Sequence, residues 1–395
     1  MNAAEPSLEP PWTLLQGSTE FFPALVQAID AAEQEIWFET YLFNIAAQGQ
    51  TVAAALERAA WRGVAVRVVL DGAGSRDMAP EWLERWRQAG VHWRIFDPVG
   101  PAGLWFPSRW RRLHRKLCVI DARQAFCGGI NILDDGYDPH VQRALDHPRL
   151  DYAVALTQAP LVADILAVMS QLWWRLEISR NLRARRIGAA LEAWRGGDPG
   201  AESPARGDMR LVLRDNVRHR YGIQRSYLKA IGRAKKDILI ANAFFFPASK
   251  LRRALQTAAA RGVRVRLLLP GYYEFAVPYR ASRVVYRQLL QAGIEIYEYH
   301  ASYLHAKVAV VDDRWATVGS SNLDPLSLLL AREANLVAED VAFATQLRNR
   351  LEQQMKTGAH WVRPRLERLG WLERLLDIAA YALMRALIVL AARRY

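Results

Sequence analysis

The chain has 395 residues, 51% of them hydrophobic, which excludes a disordered polymer and leaves room for roughly two to three domains. A net charge of +13 and a pI near 9.9 suit a polyanionic partner, either nucleic acid or an anionic membrane face. Two cysteines, Cys118 and Cys127, exclude a disulfide scaffold and read as buried thiols of a reducing compartment.

The first segment, MNAAEPSLEPPW, has neither a basic start nor an apolar run, so no signal peptide is expected there. AAEQEIWFETYLF from Ala31, VRVVL from Val66 and HWRIF from His92 are apolar runs rich in β-branched and aromatic residues. Such runs suit strands buried on both faces. Helical patterns such as VAAALERAAWR from Val52 lie between them and end at a glycine that can serve as a C-cap. A stretch of aromatic and basic residues follows, PVGPAGLWFPSRWRR from Pro98, with Leu104, Trp105, Phe106 and Trp110 beside Arg109, Arg111 and Arg112. That mixture suits the headgroup zone of a bilayer.

Next comes LHRKLCVIDARQAFCGGIN, in which His114, Lys116 and Asp121 form H-x-K-x4-D and Asn131 closes a glycine-led turn. Asp151 follows in LDYAVAL. The Gly/Pro/Ser-rich stretch from Trp194 to Asp208 reads as a linker.

The second half repeats the first. Ala32 aligns with Ala234, Gly63 with Gly262, Gly90 with Gly293, and His114 with His305. LHAKVAVVDDRWATVGSSN carries His305, Lys307, Asp312 and the closing Asn322, and Glu333 takes the place of Asp151. Each half therefore reads strand, helix, strand, helix, strand, then a motif-bearing hairpin, the pattern of an α/β sandwich with mixed sheets. The expected boundaries are 1–193 for the first domain, 194–208 for the linker and 209–364 for the second domain. Residues 365–395 form an amphipathic helix suited to lie in a membrane interface. Its Leu372, Leu375, Leu376, Leu383, Leu387 and Leu390 recur near helical spacing.

Residues i and i+2 of a strand share a face, so each His–Lys pair points one way. Asp121 and Asp312 fall at an odd spacing from the histidine and are expected to anchor the hairpins rather than touch substrate. Two facing halves bring two imidazoles and two ammonium groups to one phosphodiester. One imidazole serves as nucleophile and one as proton donor, with the lysines stabilising charge on the equatorial oxygens. Asn131 and Asn322 can offer amide N–H groups to phosphate oxygens. Each imidazole needs a partner to fix its tautomer, and Asp151 and Glu333 are the candidates.

The paired motifs resemble those of the phospholipase D superfamily, and the resemblance covers almost the whole chain. It implies two tandem α-β-α sandwich domains with pseudo-two-fold symmetry and one shared active site, working through a phosphohistidine without metal or other cofactor. GSSNLDPLSL followed by EANL is similar to bacterial cardiolipin synthases. LHRKLCVIDAR, GGIN, ETYLF and LDGAGS resemble their B type, which lacks N-terminal membrane-spanning helices.

The reaction this resemblance implies is phosphatidyl transfer to phosphatidylglycerol, with His114 attacking phosphorus and His305 as acid, then base. One departure is Ala331-Arg332 before Glu333, where the resemblance leads one to expect an asparagine in that neighbourhood. The implied partners are a phospholipid substrate and the anionic cytoplasmic face of a bacterial inner membrane, with no nucleic acid. A hydrolase using water, or a nuclease of the same superfamily, is the alternative that the residues leave open.

Overall fold

A computed structural model describes residues 10–46, 48–76, 78–100, 111–133, 136–138, 143–144, 148–183, 208–215, 219–272, 276–324, 331–362 and 370–393. Two mixed sheets organise them. The first runs in the order β1 (Trp12–Gln16), β9 (Tyr152–Leu156), β6 (Gln124–Gly128), β5 (Leu117–Ile120), β2 (Glu35–Thr40), β3 (Ala65–Asp71), β4 (His92–Phe96). The second repeats that order as β10 (Met209–Arg214), β16 (Glu333–Ala338), β15 (Trp315–Gly319), β14 (Lys307–Val311), β11 (Asp237–Asn242), β12 (Arg264–Pro270), β13 (Glu295–Tyr299), and adds β17 (Ala359–Trp361) at its edge. In both, the three strands after the first helix run parallel and the rest antiparallel. A small hairpin, β7 (Tyr137–Asp138) with β8 (Arg143–Ala144), stands apart.

The central strands are apolar on both sides because helices cover both faces. The outer face of the first sheet packs on α1 (Gly17–Asp30), α2 (Gln48–Trp61) and α3 (Pro80–Ala89) through Leu25, Ile29, Val52, Leu56 and Trp86. The second sheet packs likewise on α5 (Gly222–Arg233), α6 (Ser249–Ala260) and α7 (Ala276–Gln291). Between the sheets lie α4 (Ala159–Arg183) and α8 (Val341–Gly358), and one continuous core joins Leu14, Val119 and Val154 to Val308, Leu336 and Leu347. The halves are thus fused through a shared apolar middle layer.

Each half begins with an edge strand and a helix, β1–α1 and β10–α5, that the sequence pattern did not mark. Elsewhere the expected order holds, although Phe43 leaves the sheet after β2 and bridges to Ile132 instead. Gly90 ends α3 at φ 91°, the left-handed conformation of a helix C-cap, while Val91 N–H donates to Trp86 O. Cys118 and Cys127 are buried free thiols.

The C-terminal helix, α9 (Trp371–Arg393), docks on α7. Asp377, 1% exposed, faces Arg280, Arg283 and Arg287, with a 2.7 Å contact to Arg287. No helix among the described residues is long and apolar enough to cross a membrane.

Candidate active site

The motif hairpins are built by tight turns. Arg123 N–H donates to Ile120 O, and the central residues Asp121 and Ala122 have φ 50° and 51°. Arg314 N–H donates to Val311 O around Asp312 and Asp313, at φ 52° and 53°. Two successive residues in the left-handed region make a two-residue turn matched to strand twist. Each motif aspartate then anchors a neighbouring strand. The Asp121 carboxylate accepts N–H bonds from Glu33, Gln34 and Glu35 at 2.7–2.9 Å. Asp312 accepts them from Lys235, Lys236 and Asp237 at 2.7–2.9 Å. Both carboxyls are held below their ordinary range: burial opposes this, and the backbone donors outweigh it.

The segments leading into β5 and β14 cross between the halves. Leu113 bridges to Arg332 and Leu150 to Leu304. His114 N–H donates to Arg332 O at 3.0 Å, and His305 N–H to Leu150 O at 2.9 Å. These crossings carry each histidine to the other half's carboxylate. His305 Nδ1 lies 2.6 Å from Asp151 Oδ2, and His114 Nδ1 lies 3.1 Å from Glu333 Oε2. Both carboxylates are nearly sealed from solvent, at 3% and 0% exposed. A carboxylate accepts only, so we assign a proton to each Nδ1, leaving each Nε2 with its lone pair.

The two lysines line the same place. Lys116 Nζ donates to His114 O at 2.8 Å and lies over the Tyr41 ring, which itself packs on His114. Lys307 Nζ donates to His305 O and sits 3.8 Å from Asp151. Burial and then the charge of Lys307 pull Lys116 down to about 7. Burial, with Lys307, Lys116 and His114 adding to it, drives His305 well below its ordinary value. His114 is also lowered by burial, against the opposing charge of Glu333. Asp151 is raised by burial to about 6 even though Lys307 and Lys116 favour its anion. Groups from both halves therefore titrate as one cluster. Its two ammonium groups are balanced by two buried carboxylates while both imidazoles stay neutral, and burial is the largest cause of each shift.

Glycines shape the turns. A Cβ on Gly129 would stand 2.4 Å from Asp151 Oδ1, so no side chain fits beside that carboxylate. The matching position of the second half is Ser320, whose hydroxyl donates to Glu333 Oε2 at 2.5 Å. Asn131 is half-buried, and its Oδ1 accepts no hydrogen bond among the described residues; Asn322 is 6% exposed at the matching turn. Leu104, Trp105, Phe106 and Trp110 lie outside the described residues.

Several supporting residues are not evident from sequence pattern. The Asp71 carboxylate, fully buried, accepts from Leu113 N–H at 2.7 Å and pairs with Arg112, fixing the approach to His114. Arg115 pairs with Glu39 at 2.8 Å, both sequestered. Ser320 is legible as the one side chain that GSSN holds against the glycine of GGIN, and Tyr41 as an aromatic facing Ala243 in the aligned second half.

A duplicated mixed-sheet sandwich with an H-x-K-x4-D hairpin in each half defines the tandem phospholipase D-like class. A family model described as cardiolipin synthase, phospholipase D-like domain, matches residues 25–173 and 227–355. The chain belongs to this family. It is 40% identical over 340 residues to cardiolipin synthase B of Shigella flexneri and of Escherichia coli K12, covering 86% of this chain and 78% of each relative. Cardiolipin synthase 1 of Bacillus anthracis is 30% identical over 81% of this chain and 61% of its own length. In fold, the chain superposes on phosphatidylserine synthase of Haemophilus influenzae with a TM-score of 0.70 at 15% identity, covering 95% of this chain and 94% of the other.

Proposed function

We infer that the protein is a phosphatidyltransferase that makes cardiolipin. It moves the phosphatidyl group of phosphatidylglycerol or phosphatidylethanolamine onto a free hydroxyl of phosphatidylglycerol. The observation that carries this reading is the crossed pair of imidazole–carboxylate contacts in a chain of the cardiolipin synthase family.

In the first step His114 Nε2 attacks phosphorus. A P–N bond forms as the P–O bond to the donor's headgroup alcohol breaks, and His305 gives that alcohol its proton. In the second, His305 takes the proton from the incoming phosphatidylglycerol hydroxyl, whose oxygen bonds phosphorus as the P–N bond breaks. When the donor is phosphatidylglycerol, the first product is glycerol. Lys116 and Lys307 offset charge on the non-bridging oxygens. The short bond to Asp151 supports His305 as the acid, because a carboxylate at 2.6 Å stabilises an imidazolium. His305 resists protonation while the site is empty. Its proton affinity rises when a phosphodiester compensates the two lysines.

The substrate lives in a bilayer, and α9 supplies an anchor. Its Asp377 side is clamped to α7, while Trp371 (79% exposed), Leu372, Leu375, Leu376, Ile378 and Leu383 face outward. An apolar stripe on a docked helix, on a protein of charge +13, suits peripheral binding to the anionic cytoplasmic face of a bacterial inner membrane.

Incubation with phosphatidylglycerol vesicles, alone and with phosphatidylethanolamine, followed by mass analysis of the lipids, tests the reaction class. Cardiolipin is the expected product. Phosphatidic acid without cardiolipin means a hydrolase, and cleavage of nucleic acid with no lipid product means a nuclease.

A further inference from the structure

A cavity of about 570 Å³ opens away from the two histidines, between α5, the start of α6 and the C-terminal helix α9. Its walls alternate two chemistries. Leu228, Phe246, Pro247 and Val389 are apolar, while Arg225, Lys250, Arg252 and Arg385 are cationic. Among the described residues no carboxylate lines it. The Tyr381 ring packs on Phe246 with centroids 5.5 Å apart, the Arg385 guanidinium lies 6.0 Å from the centre of the same ring, and Arg252 lines the cavity with them. The two guanidinium groups therefore share one cavity wall region with an aromatic ring and no carboxylate among the described lining residues. The start of α6 adds to the positive field: its N-cap, Ala248, has no side chain to cap the helix, and Ser249 and Lys250 line the cavity.

The cavity lies close to the catalytic turns without being part of them. Phe246 N–H donates to Leu323 O at 3.1 Å, one residue beyond Asn322. Its cations differ from those at the two histidines, so a phosphate held here is not the one that reacts. On its other side it is walled by α9, the helix whose Leu372, Leu375, Leu376 and Leu383 point outward. A cavity of this size, half apolar and half cationic, fits a phosphate group with the adjoining part of an acyl chain.

We propose that this groove holds one anionic phospholipid as a non-reacting anchor, its phosphate at Arg252 and Arg385 and its acyl chain along Phe246, Leu228 and Val389. The inference rests on the peripheral-membrane reading of α9 and adds a defined lipid seat to it. The seat ties α9 to the membrane at a fixed place and so sets how the catalytic turns meet the bilayer.

The test measures binding of the full chain to vesicles of dioleoyl-phosphatidylglycerol and of dioleoyl-phosphatidylcholine. Arg252→Gln/Arg385→Gln is expected to bind the anionic vesicles roughly 30-fold more weakly, the effect of two well-placed charges. Leu228→Trp, which fills the groove and keeps every charge, should weaken binding as well. Arg233→Gln/Arg253→Gln removes the same charge from exposed positions outside the groove and should change binding by less than about 3-fold. All three should turn over dispersed dioctanoyl-phosphatidylglycerol at the wild-type rate, showing that the fold and the catalytic site are intact. The proposal is overturned if either groove variant binds as tightly as the control variant. Failure of the wild type to bind phosphatidylglycerol vesicles at all would instead overturn the membrane reading beneath it.

Discussion

His305 of the second half turns its Nδ1 to Asp151 of the first, at 2.6 Å, and His114 of the first turns its Nδ1 to Glu333 of the second, at 3.1 Å. Neither motif histidine takes its carboxylate from its own half. The duplication therefore does more than place two copies of a motif face to face. Each half orients the other's reacting group, through backbone bridges at Leu113–Arg332 and Leu150–Leu304 and through the carboxylate one residue further on.

Replacing either carboxylate by its amide keeps the shape and removes the preference for an Nδ1 proton. Asp151→Asn and Glu333→Gln should each lower kcat by about 10²- to 10⁴-fold, the range expected when a catalytic histidine loses its tautomer partner. They should fail at different steps. With His114 as nucleophile, Glu333→Gln suppresses formation of the phosphoenzyme, whereas Asp151→Asn impairs departure of the headgroup alcohol. Rapid quench with labelled donor lipid separates the two, and identical step profiles would refute the crossed assignment.

The turn residues Gly129 and Ser320 make opposite predictions. Gly129→Ser drives a Cβ to 2.4 Å from the Asp151 carboxylate, so it should abolish turnover by displacing the partner of His305. Ser320→Gly removes a hydrogen bond to Glu333 without a clash and should cost about 10-fold in kcat, equivalent to about 1.4 kcal/mol. Steady-state rates of the two variants, with circular dichroism to confirm folding, decide the matter.

The pH profile of kcat/KM reports the free enzyme. Its acid limb should fall as pH drops through about 6, where Asp151 gains a proton and releases its hold on His305. Its alkaline limb should fall as pH rises past about 7, where Lys116 loses its charge. Lys116→Arg will be slower, because a guanidinium does not reproduce an ammonium's geometry, but its alkaline limb should disappear. An unchanged alkaline limb in that variant would assign the limb to another group.

Lys116 is also a stability liability. Its pKa is depressed in the folded protein, to about 7, so between that value and its ordinary 10.5 the unfolded chain binds the extra proton. The contribution of Lys116 to stability then rises with pH across that window. Lys116→Met should abolish activity yet raise the melting temperature, most below pH 7 and progressively less toward pH 10. Thermal melts of both proteins at pH 6 and pH 9.5 test the sign. A variant melting lower at pH 6 would contradict it.

Much of this site is legible in the chain. The H-x-K-x4-D repeats, their glycine-led turns and the trailing Asp151 and Glu333 all stand in the sequence, and odd spacing sets Asp121 and Asp312 apart as anchors. The crossing is not legible. Spacing along a chain says which residues share a strand face, but not which half's carboxylate meets which histidine across a domain contact. Asp71 reads as an ordinary turn residue after a strand, because its role depends on Leu113 arriving from far along the chain. In the C-terminal helix the leucine spacing marks a stripe but not its direction. Asp377, paired with three arginines, takes the docked side and leaves Leu372, Leu375, Leu376 and Leu383 outward. The edge strands β1 and β10 are as long as the marked strands, but their apolar runs are broken by polar residues, as in MRLVLR of β10, and do not stand apart from loops.

The crossed contacts require one shared site rather than two working side by side. Intact-mass analysis of the protein, acid-quenched during turnover of phosphatidylglycerol, counts the covalent phosphatidyl groups on each chain, and peptide mapping places them. A shared site gives at most one adduct per chain, on His114, and none in His114→Ala. Chains carrying two adducts, one on His114 and one on His305, would contradict it.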